Sequence, residues 1–248
     1  MSKDTKSTKS STTSKIKAKL LGTYYGHPIK DMKLICITGT TGKVAVAHFV
    51  HEIMREAGQR VAVLASDETI KVGTLHKFFS DAWKAGANYV IVTTPADSLE
   101  KGVFYGLPIH IAAMTDFLTA GLGSPSAEEY IKDTTTLFDM NPEIVVLNTD
   151  DANYHDFKEF AGTQATVTYG HDHSAAVDIE DSKLYKHGAE AQLNISGTRF
   201  TVATFLTGEP AVSYMAAAAA IATSLHIAPE SIVDGIASYD PDNETPEE

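Results

Sequence analysis

Residues 33 to 58 constrain the fold of this chain more than any other stretch. They run Lys-Leu-Ile-Cys-Ile-Thr-Gly-Thr-Thr-Gly-Lys-Val and continue Ala-Val-Ala-His-Phe-Val-His-Glu-Ile-Met-Arg-Glu-Ala-Gly. The apolar, β-branched run Leu34 to Ile37 predicts a strand. Past Lys43, residues Val46, Phe49, Val50, Ile53 and Met54 recur at helical spacing. A strand, a glycine-rich turn and a helix N-terminus together make an anion site. Backbone N–H groups converge there, the helix dipole adds positive potential, and Lys43 adds a full charge. Gly39, Thr40, Thr41, Gly42 and Lys43 are therefore the candidate phosphate-binding residues, and ATP is the expected ligand. The position after the lysine, where a Ser or Thr hydroxyl would reach magnesium, holds Val44. Magnesium binding is expected to be weakened or absent, with the hydroxyls of Thr38, Thr40 and Thr41 as the remaining candidates.

The 248 residues allow one large α/β domain or two small ones, and 43% apolar content is enough for a real core. A net charge of −12 argues against sequence-independent binding of nucleic acid, which needs a basic surface. No apolar run reaches the roughly 18 to 20 residues of a membrane span, and the N-terminus lacks the apolar core of a secretory signal. The single cysteine, Cys36, excludes an intrachain disulfide and reads as a small buried hydrophobe. A cytoplasmic protein is expected.

Residues 1–19 are Ser, Thr and Lys with little else, so a disordered, solvated tail is expected. Its lysines leave contact with an acidic partner or a membrane surface as the alternative. Residues 20–240 read as one nucleotide-binding domain, opened by an ordered lead-in over 20–32, and 241–248 as a frayed acidic end. Short strands are predicted at Val61–Leu64, Tyr89–Val92, Ile109–Met114 and Ile144–Leu147. Helices alternate with them: Leu75, Phe78, Phe79, Ala82 and Trp83 form one inner face, with Phe78, Phe79 and Trp83 read as core. A second helix spans Ser126–Phe138, with Ser126 and Glu129 as a capping box. Alternation of this kind predicts an α/β fold: a P-loop-type, mostly parallel sheet with helices on both faces. From about residue 165, the short strands at 165–169, 176–184, 191–195 and 200–205 predict a small antiparallel ribbon at the sheet edge. An alanine-rich helix over 212–225 and a last one from Pro229 to about Ser238 complete the chain.

Several segments, in order, resemble the Mur ligase family. Ile37-Thr38-Gly39-Thr40-Thr41-Gly42-Lys43 resembles its ATP-binding loop, and Ser126-Ala127-Glu128-Glu129-Tyr130 is similar to the helix after its Asp-His motif. Leu147-Asn148-Thr149-Asp150-Asp151 resembles its Leu-Asn-x-Asp-Asp turn, and Thr168-Tyr169-Gly170 and the alanine-rich helix also match. The resemblance covers about residues 30–240 and is nearest to the branch that adds the third residue of the peptidoglycan stem. It implies a central ATP-binding domain of an enzyme that activates a carboxylate as an acyl phosphate and joins it to an amino acid. It also implies a muropeptide precursor or a separate ligase chain as partner. Asn148 and Asp151 are candidate nucleotide contacts or, equally, caps of the following helix.

The departures from the family pattern matter as much. Val44 and Ala45 stand in place of a Thr pair, and Thr93 and Asp97 in place of a metal-binding Glu and a His. The Asp-His segment is shortened to Thr115-Asp116-Phe117-Leu118-Thr119. Thr134 aligns with the family's carbamylated lysine, with Lys132 two residues away. Pro210-Ala211-Val212-Ser213-Tyr214 replaces an Asn-rich turn. The domains for the uridine nucleotide and the amino acid are not in this sequence. Asp97 and Asp116 read first as surface turn carboxylates, with magnesium holding as the alternative. His171 and His173 read as an exposed loop rather than a metal pair, and His48 and His51 as helix-surface residues. Three functions follow: a catalytically impaired ATP-binding ligase domain, a pseudoenzyme serving as a binding or scaffold module, or an unrelated P-loop phosphotransferase or regulatory ATPase.

Overall fold

The computed structural model describes residues 16–116, 131–132 and 134–241. Nine strands form one sheet: β1 (Lys33–Thr38), β2 (Val61–Leu64), β3 (Tyr89–Thr93), β4 (Ile109–Met114), β5 (Ile144–Asn148), β6 (Ala165–Gly170), β7 (Val177–Tyr185), β8 (Gly188–Ile195) and β9 (Thr198–Thr204). Their order is β2-β3-β1-β4-β5-β6-β7-β8-β9. Pairings from β2 through β7 are parallel, and β7–β8–β9 is an antiparallel meander. The strand at 165–170 therefore belongs to the parallel part, and only the three strands after it make the ribbon. The helix over Tyr154–Ala161, which the sequence reading did not delimit, makes a crossover between β5 and β6, and such a connection returns the chain in the same direction. Ile195 pairs with Thr198 across Ser196 (φ 52°) and Gly197 (φ 88°), the left-handed pair that a two-residue hairpin turn needs.

The helices are α1 (16–24), α2 (Lys43–Glu56), α3 (Val72–Lys84), α4 (Ala96–Glu100), α5 (described at 131–132 and 134–135), α6 (Tyr154–Ala161), α7 (Pro210–Ser224) and α8 (Pro229–Ser238). β1 alternates across the sheet: Ile35 and Ile37 enter the core shared with α2, α7 and α8, while Leu34 and Cys36 enter the core shared with α1, α3, α4 and α6. Both faces of the parallel sheet are thus covered, which is why its strands read as continuous apolar runs. The helix at 16–24 corrects the expectation that order starts at residue 20: Ala18 is buried in the second core and ties the helix to it. Phe79 is buried as expected, but Trp83 is 49% exposed, because Leu75, Phe79 and Ala82 already fill the inward face of α3. The expected capping box at Ser126 and Glu129 lies outside the described residues. No helix among the described residues is long and apolar enough to cross a membrane.

α2 ends as its sequence predicts. Gly58 takes φ 70°, its N–H donates to Arg55, and the Gln59 N–H reaches back to Met54, a six-to-one closure that only a left-handed residue allows cheaply. The start of α2 is where the chain builds its site.

Candidate phosphate loop at the sheet edge

β1 is an interior parallel strand, flanked by β3 and β4, and it delivers residues 39–42 to the C-terminal edge of the sheet. Ligands of such sheets bind at that edge. Gly39 (φ 139°) and Gly42 (φ 73°) are both in conformations that side chains avoid. Neither position has room for one: a Cβ on Gly39 would lie 2.0 Å from Thr115 Oγ1, and one on Gly42 would lie 2.1 Å from the Tyr214 ring. Gly42 is the N-cap of α2, and among the described residues no side chain caps the helix there. The first N–H groups of α2 are thereby left to face the loop mouth.

Residues from the ends of β4, β5 and β6 and from one helix hold the loop in place. The Thr115 hydroxyl donates to the carbonyl of Thr41 at 2.7 Å, and the Thr115 N–H donates to the carbonyl of Thr38 at 2.9 Å. Tyr169 on β6 donates to the Thr115 carbonyl at 2.6 Å, and Asn148 Nδ2 on β5 donates to the same oxygen at 3.3 Å. Burial pushes the Tyr169 phenol far above its usual range, and the neighbouring carboxylates of Asp116, Asp151 and Asp150 add to it, so the hydroxyl stays a donor. On the other side, the Tyr214 hydroxyl of α7 meets Thr41 Oγ1 at 2.9 Å, and its own titration is pushed up by burial.

The loop's own charge is Lys43, and two carboxylates from outside the motif, those of Asp67 and Asp116, meet the loop. Lys43 is 5% exposed, and its Nζ lies 3.0 Å from Asp67 Oδ1 and 3.4 Å from the Thr40 carbonyl. Asp116 turns its carboxylate onto the loop. Oδ1 accepts the Thr41 N–H at 2.9 Å and the Thr40 hydroxyl at 3.0 Å, while Oδ2 accepts the Thr41 hydroxyl. Asp116 is therefore no surface turn residue, contrary to the first reading of it. Its place follows from the β1–β4 register, which pairs Thr38 with Met114 and so sets residue 116 beside residue 40. Asp67 was not singled out from the sequence, and Thr115 and Tyr169 entered only as members of family-like segments with no role of their own. A position just past the end of a parallel strand was the available signal for Asp67.

The other expected residues separate. Asn148 is buried and braces Thr115, and its Oδ1 accepts the Asp150 N–H at 2.9 Å. Asp151 Oδ1 accepts the Asn153 N–H at 2.8 Å, an Asx turn immediately before α6. Thr93 spends its hydroxyl on the backbone of Ser66, donating to the carbonyl at 2.7 Å and accepting the N–H at 2.8 Å. Asp97 lies on α4, exposed, with Thr69 and Lys101 as neighbours. Thr134 is fully buried and its hydroxyl has no hydrogen-bond partner among the described residues, while Lys132 is exposed. His171 pairs with Asp150 and His173 with Asp178, each at 2.8 Å, so the two imidazoles do not converge. His48 and His51 are half-buried on α2, and His48 stacks on Tyr239. Among the described residues, no group of three or more His, Cys, Asp or Glu side chains is placed to hold a metal ion.

Fold and loop together define an α/β protein of the P-loop type. A family model for the Mur ligase middle domain matches residues 37–222, and the chain belongs to that family. It is 30% identical over 241 residues to the UDP-N-acetylmuramoyl-L-alanyl-D-glutamate–2,6-diaminopimelate ligase of Bacillus licheniformis, covering 88% of this chain and 49% of that one. A solved ligase of the same description superposes with a TM-score of 0.76 at 24% identity, over 83% of this chain and 46% of the other. The Mycobacterium tuberculosis folylpolyglutamate synthase complexed with ADP superposes at 0.75 and 12% identity, over 92% and 62%. The chain spans about half the length of the curated relatives it matches. Family membership sets aside the reading of an unrelated phosphotransferase.

Proposed function

We propose that this chain is a Mur-ligase-type domain that binds ATP at residues 39–43 without completing the ligase reaction. The observation that carries it is the shape of the loop. Two glycines sit where no side chain fits, at the uncapped start of α2, with a buried lysine beside them. A phosphate fits that cradle: the N–H groups of residues 41–44 and Lys43 Nζ would hold its oxygens, displacing Asp67 from the lysine. Asn148 and Asp151 stand at the same sheet edge and serve through the position of Thr115 and of the turn before α6. The ADP carried by a fold neighbour supports the choice of ligand. In a Mur-type reaction ATP supplies the phosphoryl group that activates a carboxylate.

The chain's own residues at the remaining family positions speak against turnover. Val44 has no oxygen for magnesium, Thr93 has committed its hydroxyl to Ser66, and buried Thr134 cannot carry a carbamate. The same facts favour a second role, a nucleotide-responsive scaffold for a muropeptide precursor or another ligase chain. Calorimetric titration of ATP, with and without magnesium, tests the reading on the native chain and on Lys43→Ala. Binding is expected in the native chain, nearly independent of magnesium, and weakened at least about tenfold in the variant, the loss of one charge-assisted phosphate contact. No binding to the native chain would sink the proposal. An indifferent Lys43→Ala would move the nucleotide elsewhere. Phosphate release with candidate muropeptides is expected at background; a Lys43-dependent rate would restore catalysis.

A further inference from the structure

Among the described residues, helix α1 is buried on one side only. Ala18 is 5% exposed, Gly22 is buried and Leu21 packs against the same core. At roughly 100° per residue, the side opposite Ala18 carries Ile16, Leu20 and Tyr24, spaced four apart. Those three are 58%, 66% and 81% exposed. A helix lying on a domain turns polar residues to water, and this one turns an apolar row instead. Exposed Lys17 and Lys19 flank the row on its two sides. The sequence before it adds Lys3, Lys6, Lys9 and Lys15 against one carboxylate, Asp4. This is a cationic segment on a chain whose net charge is −12.

We propose that α1 is an interfacial anchor for an anionic lipid surface, with the lysines that precede it in the sequence adding positive charge. The Ile16–Leu20–Tyr24 row enters the boundary between headgroups and acyl chains. Lys17 and Lys19 lay their stems along it and keep their ammonium groups at the lipid phosphates. The earlier lysines add the long-range attraction that so short an apolar row needs, since a small buried area or a basic cluster alone gives only marginal binding. A second copy of the chain is a poorer occupant. Docking row to row would set the lysines of two molecules against one another.

Cosedimentation of the full chain with vesicles tests this. Vesicles of phosphatidylcholine alone are compared with vesicles holding about one-third phosphatidylglycerol. The native chain is expected to bind the anionic vesicles at least about tenfold better, and to be released at about 0.5 M salt, where the Debye length falls to a few ångströms. The triple variant Ile16→Gln, Leu20→Gln, Tyr24→Gln replaces exposed side chains, so its unfolding midpoint should match the native one while its vesicle binding falls several-fold. Replacing Lys3, Lys6, Lys9 and Lys15 by Gln should weaken binding comparably. Failure of the native chain to bind, equal binding to neutral vesicles, or an unimpaired triple variant would each overturn the anchor. So would a dimer, seen by light scattering without lipid, that the triple variant dissociates; that outcome gives the row to a second copy.

Discussion

The Asp116 carboxylate accepts the backbone N–H of Thr41 at 2.9 Å and takes the hydroxyls of Thr40 and Thr41 as well. A side-chain anion thus already uses part of the donor set that a phosphate would draw on. It holds the loop in shape, and it places a fixed negative charge where an incoming anion must arrive. Asp116→Asn keeps an acceptor oxygen for the Thr41 N–H and removes the charge. ATP affinity is expected to rise about three- to tenfold at low ionic strength, the scale of about 1 kcal/mol for one partly exposed charge pair, and to rise less as salt screens it. Calorimetry at two salt concentrations measures this, and an unchanged low-salt affinity would refute the competition.

Gly235 sets the distance between α8 and α2. A Cβ there would lie 2.3 Å from Ile53 Cα, backbone that cannot rotate aside. Gly235→Ala is expected to cost about 2–3 kcal/mol by overpacking. Gly73, inside α3, has no atom of the described residues within 4 Å of its Cβ position and no left-handed backbone. Gly73→Ala is expected to add about 0.4–1 kcal/mol by stiffening the unfolded chain. Urea unfolding of the two variants should therefore move in opposite directions.

Two histidines give stability opposite dependences on pH. His173 hydrogen-bonds Asp178, which is 3% exposed, and that bond and charge hold the imidazole above its usual value of 6.5. A raised value in the folded state means the contribution is complete below about pH 6.5 and is lost as pH rises through the folded value. His76 is lowered, by burial first and then by His27, so its protonation costs stability as pH falls below the unfolded value. The urea midpoint of the native chain should decline between pH 6.5 and 8.5. His173→Gln should flatten that limb and leave the acid limb in place. A native midpoint that does not move on the alkaline side would show that the His173–Asp178 pair contributes nothing.

Cys36 sits in the middle of β1, fully buried, and burial pushes its thiol well above its usual range. The thiol should stay unreactive toward an aromatic disulfide reagent at pH 8, because the thiolate is the nucleophile. Labelling should rise with denaturant in step with unfolding measured by circular dichroism. Rapid labelling of the native chain would contradict the packing around β1.

Much of the fold was legible because it is local. Leu34 to Ile37 reads as a buried strand, Gly58 as the end of α2, and Pro229 as the start of α8, each through its own backbone chemistry. The direction of β6 was not legible. Ala165 to Gly170 pairs in parallel with β5 because α6 carries the chain back as a crossover, a fact no residue in the strand carries. Trp83 misled for a related reason: helical spacing marks a face, but the inward arc of α3 was already full. Asp116 misled most, since its meaning lies in the β1–β4 register.

By itself the sequence determined the chemistry the loop can offer. Gly39 and Gly42 permit left-handed backbone, Lys43 brings charge to a helix start, and Val44 withholds an oxygen. These properties belong to covalent structure and near-neighbour sterics, so they survive without knowledge of the fold. Only the tertiary structure decided which groups face that loop. Sheet order and register set Asp116 on the Thr41 N–H and Tyr214 over Gly42, and they let Asp67 reach Lys43. Such contacts join residues from 24 to 173 positions apart, as Lys43–Asp67 and Thr41–Tyr214 show, and packing alone brings them together.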